Sequence, residues 1–286
     1  MSMEKEVTVG LVQMGMTADK GKNVEKALKM ISEAAKRGAK IVCLPELFNS
    51  AYFPQKEEVD DKSELAEPIP GPTTGTLSEA AKENSISLIG GSIYEKDGRR
   101  LFNTSVVFDE NGKMIGKYRK IHIPNDPKFY EQNYFENGDL GYQVMKTNGA
   151  MVGVMICYDQ WFPEAARVNA LMGAGMIFYP TAIGLVEGVE QTEGDWQEAW
   201  ENVQRGHAIA NGVIVSAVNR VGKEGDMRFW GGSFVIDQFG KTLARAGNRE
   251  EVVIVKCDLG LGRRVKEGWR FFYNRRPGSY QKLVER

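Results

Sequence analysis

Histidine is scarce in this chain of 286 residues: only His122 and His207 are present. That argues against a histidine-rich metal site and leaves few partners for a serine–histidine triad. Cysteine is nearly as rare. Cys43, Cys157 and Cys257 are odd in number and far apart, with no CxxC pair. Free thiols in a reducing compartment are expected, not a disulfide framework. A surplus of charge is also missing, since 37 Lys plus Arg against 38 Asp plus Glu leaves a net charge of −1. Nothing there calls for nucleic acid as a partner. Long apolar runs are absent: Met151 to Cys157 is far short of the ~20 residues that span a bilayer. Met1 to Val9 carries Glu4, Lys5 and Glu6 and has no apolar core followed by a cleavage site, unlike a signal peptide. The expectation is a cytoplasmic protein with no membrane partner. What is present is 42% hydrophobic residues, enough for a packed core.

The chain opens as strand, helix, strand. Val7 to Met14 is apolar and β-branched; Asn23 is placed to cap a helix whose Val24, Ala27, Leu28, Ile31 and Ala35 share a face; Gly38 ends it; Ile41 to Leu44 is the next strand. Such a unit implies a parallel pair with a right-handed crossover. Tyr52 to Thr76 reads as loop, followed by a short helix from Leu77 to Asn84. Ile86 to Tyr94, Leu101 to Asp109 and Met114 to Lys120 read as strands turned at Asp97-Gly98 and Asn111-Gly112. The second half repeats the opening rhythm. Val152-Gly153-Val154-Met155 resembles Val9-Gly10-Leu11-Val12, a helix from Pro163 to Met172 stops at Gly173, and Met176 to Tyr179 follows. A helix from Asp195 to Ala210 and strands at Val213–Val218, Gly232–Asp237 and Val252–Cys257 complete the pattern. From Gly260 the tail is basic and aromatic without strong periodicity. No composition break divides the chain, so one α/β domain is expected, two mixed sheets face to face with helices outside.

Cys157 is placed where chemistry can occur. It ends an apolar strand, and Pro163 opens a helix six residues later, an arrangement like a nucleophile elbow in which a helix N-terminus would favour thiolate. The alternative is a buried core cysteine, the reading adopted for Cys43 and Cys257. A thiol nucleophile needs a proton acceptor, and His122, His207 or a carboxylate at a strand end could serve. Glu46 follows a strand at Leu44-Pro45, and Lys120 closes another. Taken singly, each reads as solvated surface charge.

Together these residues carry a resemblance. Cys-Leu-Pro-Glu46, Tyr-Arg-Lys120 and Met-Ile-Cys157 stand in the order and rough spacing of the three signature blocks of the nitrilase (carbon–nitrogen hydrolase) superfamily, and the likeness runs from Val7 to about Tyr273. It implies a four-layer αββα sandwich with Glu46 as general base, Lys120 as electrostatic stabiliser and Cys157 as nucleophile. Glu131, in Tyr130-Glu131-Gln132-Asn133, matches a position that orients the lysine and substrate. More narrowly, the run from His122 to Asp139, Cys157 to Arg167, Tyr179 to Gly184 and Gly206 to Asn211 resemble the N-carbamoylputrescine amidohydrolase branch. Other amidases of the superfamily, such as ω-amidases and β-ureidopropionases, and a non-catalytic interaction module stand as alternatives.

The resemblance implies a small carbamoyl amine as substrate, no cofactor, no metal, and a homo-oligomer built from dimers, with about 260–286 at a subunit contact. The third residue after Cys157 is Gln160 where carboxylate-binding carbamoylases use arginine. An ammonium tail needs an acid or an aromatic face. Glu187 is the candidate acid, with Glu190 and Asp159 behind it. Tyr158 is expected to offer its backbone N–H to the oxyanion, and Trp161, Tyr52 and Phe53 to wall the pocket. His122 is expected to support the loop carrying Glu131, and His207 to be structural or to line the pocket.

Overall fold

The computed structural model describes residues 6–58 and 63–285. In chain order, β1 is Glu6–Gln13, α1 Lys20–Lys36, β2 Ile41–Cys43, α2 Pro72–Asn84, β3 Ser87–Ile89, β4 Ile93–Asp97, β5 Arg100–Phe108 and β6 Met114–Arg119. Then come β7 Val144–Lys146, β8 Met151–Val154, α3 Pro163–Leu171, β9 Met176–Thr181, β10 Gly184–Val186 and α4 Trp196–Asn211. The chain closes with β11 Ile214–Asn219, β12 Val221–Glu224, β13 Met227–Trp230, β14 Phe234–Ile236, β15 Thr242–Arg245, β16 Glu251–Asp258 and α5 Leu259–Trp269.

Two mixed sheets and a small antiparallel one, β10-β13-β12, result. One mixed sheet runs β16-β1-β2-β3-β5-β4 with β6 added on β5; the other runs β15-β14-β11-β9-β8-β7. Alternation along the strands assigns the layers. Val9, Leu11 and Cys43 from the first sheet and Val152, Val154 and Phe178 from the second share the core between the sheets. Their neighbours Val12, Val42 and Leu44 face α1 and α2, whereas Met155, Ile177 and Tyr179 face α3 and α4. Each mixed sheet is thus buried on both faces, which accounts for the near-continuous apolar strands. The expected αββα sandwich is the observed architecture.

The echo between the halves has a physical basis. In each, a crossover helix packs on a glycine at the middle of the first strand: a Cβ on Gly10 would lie 3.0 Å from Ala34 Cβ, and one on Gly153 would lie 2.4 Å from Asn169 Oδ1. Both strands then pair in parallel with the strand after the helix.

Several expected boundaries are corrected. Asp19, not Asn23, caps α1 by accepting from Lys22 N–H. Asn23 is buried inside the helix and ties down Thr17 through its backbone N–H and carbonyl. The segment read as loop to Thr76 holds the first turn of α2, opened by Pro72. The strand read from Ile86 to Tyr94 is two, broken at Gly91, where φ is +58° and the chain passes so close to Pro45 that a Cβ would lie 2.1 Å from its carbonyl oxygen. The tail from Gly260 contains α5, capped by Asp258, which accepts from Gly260 and Leu261 N–H. Only Gly262 and Val265 of that helix are buried, too narrow a stripe to register as periodicity. Strands β7, β10, β12, β13 and β15, three or four residues each, escape a reading based on apolar runs.

Candidate active site

Glu46, Lys120 and Cys157 each follow the carboxyl end of a strand, β2, β6 and β8, where α/β sheets gather ligands. Lys120 is fully buried. Its ammonium donates to Glu46 Oε1 at 2.9 Å and to Glu131 Oε2 at 2.6 Å. Glu46 Oε1 also accepts from Asn103 Nδ2 at 2.8 Å, and Glu131 Oε1 accepts from the Tyr52 hydroxyl at 2.8 Å. Glu46 Oε2 has no protein hydrogen-bond partner among the described residues. Burying an ion costs several kcal/mol unless it is paired, so the two carboxylates and the lysine stabilise one another. Burial alone would push the lysine down, but Glu131 and Glu46 outweigh it and hold the ammonium well above the ordinary lysine range. Burial pushes the Glu131 carboxyl up, against the pull of Lys120.

Cys157 opens a 3-10 turn, Cys157–Trp161, and has φ +43°, a left-handed conformation that costs a non-glycine residue roughly 1–2 kcal/mol. The turn is held from several sides. Asp159, fully buried, accepts from Ile156 N–H at 2.9 Å, the Tyr118 hydroxyl at 2.8 Å, and His122 N–H and Nδ1 at 3.1 and 2.7 Å. One stripe of α4 holds Gln160. Trp200 Nε1 and Gln204 Nε2 donate to its side-chain oxygen at 2.8 and 3.2 Å, and His207 Nε2 donates to its carbonyl at 2.8 Å. Those three residues recur at i, i+4 and i+7, one helix face. Burial, then the Glu46 carboxylate, raise the Cys157 thiol well above its ordinary pKa while Lys120 opposes them. The resting sulfur is therefore a thiol, with its S–H toward Ala182 O at 3.8 Å. The expected thiolate at a helix N-terminus is corrected: α3 starts six residues later and burial wins, so attack requires a base.

A cavity of about 460 Å³ opens onto this cluster, walled mainly by apolar groups such as Phe129, Trp161, Ile183 and Val186 together with Cys157 and Tyr158. Three carboxylates line it, Asp126, Glu131 and Glu193, and neither arginine nor lysine does so among the described residues. No three His, Cys, Asp or Glu side chains among those residues are grouped to hold a metal ion. No helix among them is long and apolar enough to cross a membrane.

The carbon-nitrogen hydrolase family model matches residues 8–267. The chain belongs to the carbon-nitrogen hydrolase family. It is 40% identical to the N-carbamoylputrescine amidase of Solanum lycopersicum over 97% of this chain and 95% of that one. It is 34% identical to the citrullinase of Francisella tularensis over 98% and 99%. A crystal structure of a carbon-nitrogen hydrolase from Helicobacter pylori G27 superposes with a TM-score of 0.93 at 37% identity, over 98% of this chain and 99% of that one. A carbon-nitrogen hydrolase acts on amide C–N bonds, and this chain is such a hydrolase.

The fold brings Glu46, Lys120, Glu131 and Cys157 together, and sets Tyr158 and Trp161 in the cavity wall. Other expected positions are corrected. Tyr52 is buried behind Glu131 and does not line the cavity. Glu187 is exposed, ion-paired with Lys223 at 2.7 Å, and is also outside the wall. Asp159 is saturated by backbone and ring donors and is not placed for a ligand. His122 supports the cysteine turn through Asp159 and stacks on Phe162 at 3.6 Å, rather than serving the Glu131 loop. His207 is structural, and burial lowers its pKa. Asp126 and Glu193 carry no signal in the sequence, because they sit in loops whose approach to the cavity leaves no local pattern.

Proposed function

We propose that the chain is a metal-independent thiol amidohydrolase that converts N-carbamoylputrescine to putrescine, carbon dioxide and ammonia. The observation that carries the substrate is the charge of the cavity wall, where Asp126 and Glu193 join the Lys120-paired Glu131 and neither arginine nor lysine is among the described lining residues. An ammonium tail is attracted there, whereas the carboxylate tails of carbamoyl-β-alanine or an ω-amide acid are repelled. The apolar walls suit a four-carbon chain. The likeness to plant N-carbamoylputrescine amidases supports the same reading.

In this mechanism Glu46 takes the thiol proton through Oε2, the oxygen left open by Asn103 and Lys120. The Cys157 sulfur attacks the carbamoyl carbon. The Lys120 ammonium and the Tyr158 backbone N–H stabilise the oxyanion. Collapse of the tetrahedral intermediate breaks the bond to the amine nitrogen, Glu46 returns its proton to the departing putrescine, and S-carbamoyl-Cys157 remains. Glu46 then deprotonates water, which releases carbamate and regenerates the thiol; carbamate decomposes to carbon dioxide and ammonia.

Comparison of kcat/KM for N-carbamoylputrescine, carbamoyl-β-alanine, citrulline and an ω-amide acid tests the substrate. A preference of ~10²-fold or more for N-carbamoylputrescine is expected. The double substitution Asp126→Asn with Glu193→Gln should raise its KM roughly tenfold, the effect of losing ~1.4 kcal/mol of binding, and narrow that preference. Equal or better turnover of a carboxylate-tailed substrate by the parent contradicts the reading.

A further inference from the structure

The Glu46–Lys120–Glu131 cluster belongs to a larger closed figure. Arg220, between β11 and β12, is fully buried, and all five of its N–H groups are engaged. Nε and Nη2 donate to Glu224 Oε1 and Oε2 at 3.0 and 2.8 Å, a bidentate fork. Nη2 also donates to Ser50 O at 2.8 Å, and Nη1 donates to the carbonyls of Glu46 and Leu47 at 3.2 and 3.3 Å. Glu224 Oε2 in turn accepts from Tyr52 N–H at 2.8 Å. One ion pair from the second half of the chain therefore grips residues 46, 47, 50 and 52 by their backbones.

That segment has Glu46 at one end and Tyr52 at the other, and these side chains reach Lys120 and Glu131. It is also strained. Leu47 has φ +47°, with its N–H on Ser92 Oγ at 2.9 Å and its carbonyl on Arg220. Without the guanidinium, the carbonyls of 46, 47 and 50 lose their shared donor, and Glu224 loses the fork that holds it against Tyr52 N–H. All five Arg220 N–H groups are taken up by Glu224 and backbone carbonyls, which leaves no donor for substrate.

We propose that Arg220, clamped by Glu224, is a positioning residue that sets the Glu46 carboxylate against Lys120 and Cys157. The inference rests on the reading of Glu46 as the base. Lysine cannot replace it, because a single ammonium lacks the planar fork that reaches four acceptor groups at once.

The test measures kcat, KM and the rate of Cys157 alkylation by iodoacetamide for Arg220→Lys, Glu224→Gln and, in parallel, Glu46→Gln, with a thermal melt for each. Arg220→Lys is expected to lower kcat by ~10²-fold, the effect of a misplacement on the order of 1 Å, while KM changes little and alkylation slows in step. A structural role alone would lower the melting temperature and leave the alkylation rate and kcat of the folded fraction at parental values; that result overturns the proposal. Should Arg220→Lys fail to fold, Glu224→Gln decides, with a smaller loss in kcat expected and parental kcat overturning. Loss of activity in Glu46→Gln with parental kcat in Arg220→Lys overturns this inference alone; parental activity in Glu46→Gln overturns the base assignment and the inference with it.

Discussion

Cys157→Ala is expected to abolish hydrolysis, with kcat reduced by roughly 10⁴-fold or more, and to leave the fold in place. The sulfur lies at the base of a cavity that also holds Tyr158 and Glu131, and no other described thiol is near, since Cys43 and Cys257 are buried between the sheets. Removing it deletes the covalent step but little packing. Among the described residues its hydrogen-bond partner is Ala182 O, at a long S–H distance. Cys157→Ser should be nearly as inactive, because Glu46 is too weak a base for a hydroxyl whose alkoxide is far less accessible than a thiolate. An ammonia-release assay beside a melting curve checks both variants. Activity within about tenfold of the parent in either variant sinks the nucleophile assignment.

Lys120→Met should be the most damaging change to catalysis and stability together. Activity is expected to fall ~10³-fold, the scale of losing a buried oxyanion stabiliser. Stability should drop by about 3–5 kcal/mol, because Glu46 and Glu131 remain buried without their cation. The loss depends on pH in a fixed direction. Burial already pushes Glu131 up to about 7 from its ordinary value of 4.5, with Lys120 opposing. A carboxyl whose folded pKa lies above its unfolded one holds a proton that the unfolded chain releases, so stability falls as pH rises through that window. Without Lys120 the opposing pull is gone and the window widens upward. Melting temperatures of the variant should therefore decline more steeply than the parent's from about pH 5 to 8. A parallel pair of curves contradicts the account of the cluster.

Much of this molecule is legible along the chain, and the unread remainder has a common cause. The sandwich follows from apolar strands alternating with periodic helices, a local signal. Glu46, Lys120 and Cys157 are legible as candidates because each stands at a strand end within a recognisable block. Arg220 leaves no such trace: its partners Glu46, Leu47 and Ser50 are about 170 positions away, and only the closed fold brings them to it. Glu187 departs from its expected place for the converse reason. It follows β10 closely, but the antiparallel pairing of β10 with β13 sets it outward against Lys223, while Glu193, six residues later, turns in to the cavity. Asn23 has a residue type that fits a cap, but Asp19, four residues earlier, holds the position and frees Asn23 to brace Thr17.

The covalent intermediate is the most direct test of the central claim. N-carbamoylputrescine is mixed with the parent enzyme and with Cys157→Ala, quenched in acid within the first turnover, digested and read by mass spectrometry. The account predicts one added carbamoyl group on the peptide containing Cys157 in the parent, absent from Cys157→Ala. Turnover with no adduct at Cys157, or an adduct on another residue, contradicts it.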